Sequence, residues 1–125
     1  MSEERRDLYW IASAKRDLMT FPEDVIDIVG QALLDAQYGD KHPKAKPMQS
    51  FGGAGVLEIV DDYDGDTYRA VYTVRLRTGV YVLHAFQKKS TRGVKTTQRD
   101  KELIKARLRQ AEEEDARRVT VEQSA

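Results

Sequence analysis

The sequence contains no cysteine and only two histidines, His42 and His84. The absence of cysteine excludes disulfides and thiol catalysis, and it argues against a small disulfide-stabilised secreted domain. Two histidines are too few for a typical zinc site without help from carboxylates. No apolar run approaches the ~18–20 residues of a transmembrane helix, and the N-terminal "MSEERRDLYW" has no apolar signal core. We therefore expect a cytoplasmic protein without a membrane segment.

Net charge is also absent, because 21 basic and 21 acidic side chains balance over the 125 residues. Their distribution is nevertheless uneven. Residues 1–67 hold 7 basic and 14 acidic side chains (−7), residues 68–109 hold 12 and 2 (+10), and residues 110–125 hold 2 and 5 (−3). Such segregation is typical of an anion-binding surface, with nucleic acid the commonest large anion. A solvated basic helix face explains the same pattern, and charge alone leaves both interpretations open.

Local patterns in the first half predict a strand, two helices and a loop. The aromatic and β-branched "DLYWIAS" (Asp7–Ser13) predicts a strand. A short helix over Ala14–Met19 precedes a longer one, which Thr20 caps and Gly39 ends, so that the two helices form a hairpin. Residues 40–55 hold two of the three prolines and the weak "GGAG" turn, and predict a loop.

The second half predicts three strands and a helix. The strands are Val56–Tyr63, Thr67–Leu76 and Val80–Lys89, and the turn signals "DGD" and "RTG" make them an antiparallel meander. The final helix has Thr97 as its cap, Asp100 at its N-terminal end and an apolar stripe of Leu103, Ile104, Leu108 and Ala111. We predict an α+β fold, an antiparallel sheet with an N-terminal helical hairpin and a C-terminal helix (β-α-α-β-β-β-α). It forms a single domain over residues 1–112, followed by a frayed tail over residues 113–125.

Strand alternation predicts which side chains share a face. One face of the middle strand holds Tyr68, Ala70, Tyr72, Val74 and Leu76. The other face holds three guanidiniums, those of Arg69, Arg75 and Arg77. On the last strand, one face holds Val80, Val82, His84, Phe86 and Lys88.

A basic sheet face of this kind suits a phosphodiester backbone, because arginine offers a planar fork to phosphate oxygens. RNA supplies its own nucleophile, the 2′-hydroxyl, so its cleavage requires a base, an acid and positive charge. Lys88, His84 and nearby tyrosines are the acid–base candidates. Structural interpretations stay open beside this one: His84 as a satisfied core residue, and Arg69 paired with Asp61 or Asp62 on the neighbouring strand.

The motifs Lys46-Pro47, "LEIV", "YRAVY", "YVLHAFQKK" and "KTTQRDKELIKARL" resemble the RelE/HigB toxin superfamily, specifically its phage-derived HigB-like branch. The resemblance covers roughly residues 7–110. It implies a RelE-like fold and the toxin of a type II toxin–antitoxin system. Such a toxin is an endoribonuclease that inhibits translation by cutting mRNA, commonly on the ribosome, without a metal or cofactor. A helix-turn-helix (HigA-like) antitoxin is the implied partner.

Transferred to this sequence, the resemblance implies Arg69 of "YRAVY" and Lys88 of "FQKK" as the main catalytic positions. Arg75 helps to hold the scissile phosphate, and His84 or a tyrosine assists proton transfer. RNA-binding residues are expected around them, at Lys46, Arg77, Lys89, Arg92 and Lys95. Two other functions remain open: a ParE-like toxin that poisons DNA gyrase, and a non-catalytic relative that binds only its antitoxin or nucleic acid.

Overall fold

The structure, a computed structural model, describes residues 4–51, 55–88 and 96–124. The strands are β1 (Asp7–Trp10), β2 (Ala45–Pro47), β3 (Val56–Tyr63), β4 (Asp66–Thr73) and β5 (Gly79–Lys88). The helices are α1 (Ala14–Leu18), α2 (Glu23–Gln37) and α3 (Gln98–Ser124). The predicted α+β fold is therefore confirmed, with one additional strand. No helix within the described ranges is long and apolar enough to cross a membrane.

The five strands form one sheet in the order β1-β5-β4-β3-β2. The predicted antiparallel meander is confirmed for β3, β4 and β5, whereas β1 lies parallel to β5. The β3–β4 turn has positive φ at both Asp64 (50°) and Gly65 (86°), the conformation of a tight hairpin turn. β2 was predicted as loop; it is a three-residue edge strand, where Pro47 is tolerated because an edge strand does not need every N–H.

The helical hairpin covers one face of the sheet. Its apolar side packs on the face of β4 that was predicted to be buried, and the shared core includes Val25, Val29, Leu33, Tyr68, Ala70 and Tyr72. The predicted threonine cap of α2 is wrong, because Pro22 occupies the cap position and the Thr20 hydroxyl donates to the Asp17 carbonyl instead. The predicted helix stop is confirmed, since Gly39 has a φ of 84°.

The opposite face of the sheet is covered by α3. Ile104, Leu108 and Ala111 pack on this face as predicted, whereas Leu103 is 36% exposed. The predicted fraying from residue 113 is wrong, because α3 continues to Ser124. Its second half is fastened to the loop between β4 and β5 by polar contacts that hydrophobic periodicity does not reveal, centred on the buried carboxylate of Asp115.

A β-bulge changes the facing of β5 midway along the strand. Val71 pairs with His84 but the next residue, Tyr72, pairs with Val82, so Leu83 is an extra residue in β5. Val82 consequently belongs to the hairpin core, while Leu83 and His84 both face α3. The prediction that Val82 and His84 share a face is therefore wrong, and every later side chain of β5 changes face with His84.

Candidate active site

A groove of about 400 Å³ lies between the start of α3 and the β2–β3 edge of the sheet. It is lined by Lys46, Pro47, Met48, Gln49, Glu58, Arg69, Thr96 and Lys101. Three of these side chains are cations and one is a carboxylate. The groove therefore combines an anion-binding surface with a group able to accept a proton.

The carboxylate is that of Glu58, which the β3 sequence turns toward α3. Its neighbours Leu57 and Ile59 pack in the hairpin core, so alternation places Glu58 on the opposite face. Glu58 is only 7% exposed. Its Oε2 accepts a hydrogen bond from Arg69 Nη1 at 3.1 Å, and its Oε1 lies 3.9 Å from Lys46 Nζ. Both oxygens thus have a cation nearby, which compensates the cost of burying the negative charge.

This pairing replaces the partners that the sequence suggested for Arg69. Asp61 is bound by Lys44 instead, and Asp62 accepts a hydrogen bond from Thr67. Arg69 and Glu58 lie on the same face of neighbouring strands, and the Arg69 side chain is 11% exposed. The guanidinium is therefore held at the groove with one part committed to Glu58.

A second polar cluster is centred on Asp100 in the first turn of α3. Its Oδ2 accepts hydrogen bonds from Lys88 Nζ at 3.0 Å and from Thr97 Oγ1 at 2.8 Å, and its Oδ1 lies 3.1 Å from His84 Nε2. The Thr97 hydroxyl also accepts a bond from the Asp100 backbone N–H, which confirms Thr97 as the cap of α3. Burial raises the pKa of Asp100, but the bonds from Lys88, His84 and Thr97 outweigh it and leave that pKa below its usual value.

His84 is a buried member of this cluster, with both ring nitrogens engaged. Arg107 Nη1 lies 3.3 Å from Nδ1, and a guanidinium can only donate, so Nδ1 is the acceptor and Nε2–H donates to Asp100. Burial lowers the pKa of His84, Arg107 lowers it further, and Asp100 opposes them. The histidine is therefore neutral at pH 7, in a defined tautomer.

Arg107 extends this network toward the helical hairpin. It donates to the Leu83 carbonyl at 3.0 Å and to Ser13 Oγ at 3.1 Å, and that hydroxyl in turn donates to Asp17. The bulged segment of β5 is thus tied to both α1 and α3. This arrangement holds the His84 ring rigidly and leaves it no free nitrogen.

The Glu58 and Asp100 clusters share one face of the sheet. Arg69 lies opposite Phe86 in the β4–β5 pair, and Lys88 is two residues further along β5. The Cα atoms of such diagonal neighbours are roughly 7–8 Å apart. The Lys88 ammonium also lies 5.6 Å from the centre of the Phe86 ring. Because both cationic side chains are long, Arg69 and Lys88 can contact the same anion.

Four of the predicted site residues therefore come together on this face: Lys46, Arg69, His84 and Lys88. Arg75 and Arg77 do not, because β4 ends at Thr73, roughly 13 Å along the strand from Arg69. Arg75 packs over Gly55, and the backbone N–H of Arg77 donates to Asp115. The prediction that one strand face holds three guanidiniums is therefore wrong. Lys89, Arg92 and Lys95 lie outside the described residues.

Sequence reasoning missed Glu58, Lys101 and Arg107 as parts of the site. Glu58 had a detectable signal, since a lone carboxylate between two apolar residues of a strand faces the opposite side from them. Lys101 and Arg107 had none, because nothing in the sequence separates them from the other cations of a basic helix. Asp100 was recognised only as a helix-end residue.

Among residues 4–51, 55–88 and 96–124, no three histidine or carboxylate side chains are grouped so as to hold a metal ion. The described groups that can act chemically on this face are the cations, Glu58, Asp100 and the neutral His84.

Comparison with known proteins relates this chain to a family. Residues 16–109 match the family described as "Phage derived protein Gp49-like (DUF891)". This is a family of RelE-like toxins, so the resemblance found in the sequence is confirmed. No curated protein matches the chain. Among solved structures it is similar to a chain in the crystal structure of the toxin–antitoxin complex RelBE2 from Mycobacterium tuberculosis. The identity is 21%, the TM-score is 0.40, and the match covers 71% of this chain and 98% of that one.

Proposed function

This chain belongs to the Phage derived protein Gp49-like family of RelE-like toxins, and on that premise we propose that it is a toxin that cuts messenger RNA on the translating ribosome. The observation that carries the proposal is the groove in which a buried carboxylate, Glu58, lies between cations from three elements. A phosphodiester needs positive charge around its oxygens and a base beside its nucleophile, and this groove offers both.

The cations act on the scissile phosphate. Arg69 and Lys88 contact its non-bridging oxygens, and their charge stabilises the additional negative charge that develops in the transition state. Lys46 and Lys101 bind the phosphates on either side. The loss of one such preorganised contact costs about 10²–10³ in rate.

Glu58 and Lys88 are the proposed base and acid of the reaction. The Glu58 carboxylate takes the proton of the 2′-hydroxyl as its oxygen attacks phosphorus. The bond between phosphorus and the 5′-oxygen breaks, and that oxygen takes a proton from the Lys88 ammonium. The products are a 2′,3′-cyclic phosphate and a 5′-hydroxyl. The ribose supplies the nucleophile, so no step requires a metal or cofactor.

His84 and Asp100 have a positioning role in this mechanism. Both ring nitrogens of His84 are hydrogen-bonded, so it is a poor proton carrier, whereas Glu58 lines the groove and can accept a proton on Oε1, which lies 3.9 Å from Lys46 Nζ. The bond from His84 to Asp100 orients the carboxylate that holds Lys88. The basic groove also suits an acidic segment of a helix-turn-helix antitoxin, which we propose as the inhibitory partner.

The test is induced expression of the lone chain in a bacterium, with growth followed and mRNA 5′ ends mapped. Growth arrest with new ends inside translated codons supports the proposal. Arrest with intact mRNA and DNA damage favours a gyrase-poisoning toxin, and harmless expression of the folded chain favours a non-catalytic relative.

Three variants then test the residue roles. Glu58→Gln removes the base but keeps the shape, Lys88→Met removes the ammonium but keeps the length, and Arg69→Lys keeps the charge beside Glu58 but loses the planar fork. Each is expected to relieve the arrest while the melting temperature stays close to that of wild type. Arg16→Gln, on the exposed side of α1, is the matched control. Full toxicity of the Glu58 and Lys88 variants would refute the mechanism.

A further inference from the structure

Three cations form a row along α3 that begins at the groove. Lys101, Lys105 and Arg109 are spaced four residues apart, so they are neighbours on one side of the helix. With a rise of 1.5 Å per residue, each step of the row is roughly 6 Å. Ile104 and Leu108 face the sheet, and the row follows their flank.

The row is continuous with the candidate active site. Lys101 lines the groove and also a smaller cleft of about 130 Å³, which Lys105 lines too. Glu102 contributes the one carboxylate to that cleft. Lys105 and Arg109 are exposed, so the row runs from the wall of the groove to open solvent.

These cations differ from those at the centre of the site. Arg69 and Lys88 are each bound to a carboxylate. Within the part of the chain that the structure describes, no ion pair involves Lys101, Lys105 or Arg109. No described ion pair therefore neutralises these three charges, and they are available to a ligand. A repeating anion is the ligand that matches three evenly spaced cations.

We infer that this row binds successive phosphates of single-stranded RNA on one side of the scissile bond. The inference rests on the proposed function, since the groove determines where the strand enters. The step of the row is comparable to the distance between neighbouring phosphates of an extended single strand. Each phosphate neutralised by the row releases a counterion, so binding through it must depend on salt concentration.

The experiment measures the affinity of the full chain for a single-stranded 12-nucleotide RNA with 2′-O-methyl riboses, by fluorescence anisotropy over a range of salt concentrations. The methyl groups remove the nucleophile, so binding is separated from cleavage. The test variant is Lys105→Gln/Arg109→Gln. The control is Lys15→Gln/Arg16→Gln, which removes the same two kinds of charge from exposed positions of α1, a helix that contributes to the hairpin core.

The expected result is a slope of log affinity against log salt that is shallower by about 1.4 for the row variant, because each phosphate contact to a single strand contributes ~0.7. The control variant keeps the wild-type slope. The inference is overturned if the slope is equal for wild type and row variant, or if the affinity of wild type does not depend on salt. Either result would assign the row to another partner, such as an acidic peptide.

The binding measurement and the cleavage measurement distinguish failure of this inference from failure of the proposed function. If messenger RNA is cut in cells but the row variant binds as wild type does, the inference fails and the nuclease stands. If the row variant binds less tightly but no RNA is cut, the nuclease fails and the row remains an RNA-binding surface.

Discussion

Two aspartates of α3 anchor the helix to the rest of the domain, Asp100 through side chains that include two from β5 and Asp115 through the loop between β4 and β5, and their surroundings differ. Asp115 accepts hydrogen bonds from the backbone N–H groups of Arg77 and Thr78 and from the Thr78 hydroxyl. Asp100 accepts instead from the side chains of Lys88, His84 and Thr97. In both aspartates burial raises the pKa, but the hydrogen bonds outweigh it and lower that pKa overall.

In the proposed mechanism, this difference separates a purely structural contact at Asp115 from a contact at Asp100 that positions Lys88. The backbone N–H groups that bind Asp115 cannot move away from it unless the loop changes conformation, and Asp115 is only 7% exposed. The side chains of Lys88 and Asp100 are 24% and 17% exposed, so an arriving phosphate can reach the ammonium and share it with the carboxylate. Two aspartates on one helix thus differ in what they hold: Asp115 holds backbone groups of the fold, and Asp100 holds Lys88, the acid of the proposed mechanism.

The largest change in the free energy of unfolding is expected for Asp115→Ala, which tests the structural role of Asp115. The substitution leaves two backbone donors and a hydroxyl without their acceptor, and each unsatisfied buried group costs ~1–3 kcal/mol. We expect a loss of about 3 kcal/mol in the free energy of unfolding, measured by urea denaturation. Glu113→Ala, an exposed acid of the same helix, is the control and should stay within about 0.5 kcal/mol of wild type. Equal denaturation midpoints for the two variants would contradict this structural role.

A sharper comparison makes the same substitution at both aspartates. Asp100→Asn weakens the charge-assisted bond to Lys88, worth about 1.5 kcal/mol, and should lower RNA cleavage roughly tenfold at saturating substrate. Asp115→Asn should leave cleavage per folded molecule unchanged while lowering the unfolding midpoint. Single-turnover cleavage and urea denaturation of both variants measure these effects. If both positions affect stability alone, Asp100 has no positioning role.

A pH dependence is expected from His84. Its pKa in the folded chain lies below the ordinary ~6.5 because of burial, so the unfolded chain binds the proton more readily. The free energy of unfolding should therefore decrease as pH falls below about 6.5, down to the folded-state pKa. His84→Gln, which keeps a donor for Asp100, should abolish this decrease, and His42→Gln serves as the control. Urea titrations from about pH 7.5 to 5 measure it. An unaltered decrease in the His84 variant would exclude this source.

The smallest effect is expected for Thr97→Ala, which removes the cap of α3. Loss of a threonine cap costs ~1 kcal/mol. Thr97→Ser retains the hydroxyl and should keep most of that stability, as judged from denaturation midpoints. A serine variant as unstable as the alanine variant would show that the methyl group, and not the hydrogen bond to Asp100, is what matters.

Much of the fold was accessible from sequence because its signals are local. The range of β3, the Asp64–Gly65 turn and the Thr97 cap each depend on a few adjacent residues, and all were predicted correctly. The three-residue β2 has no periodicity to detect. The second half of α3 is held by Asp115, whose partners are more than 35 residues away in sequence.

The candidate site was predictable only in part, for the same physical reason. The charge pattern and the family resemblance indicated Arg69 and Lys88. The strand register and the packing of α3 determine which carboxylates neutralise these two cations. Neither can be predicted from a local sequence pattern. Arg75 and Arg77 had the right residue type and spacing, but the end of β4 at Thr73 removed them from the face.

The β-bulge at Leu83 acts on β5 as a frameshift acts on a reading frame. Every side chain downstream of it is read on the other side of the sheet. Deletion of Leu83 would remove the bulge and leave His84, Phe86 and Lys88 on the face covered by α3, whereas a regular β5 that kept Leu83 would turn those three side chains toward the space filled by the helical hairpin. Which side chains of β5 reach the site is therefore determined by the position of the bulge as much as by the identities of the residues.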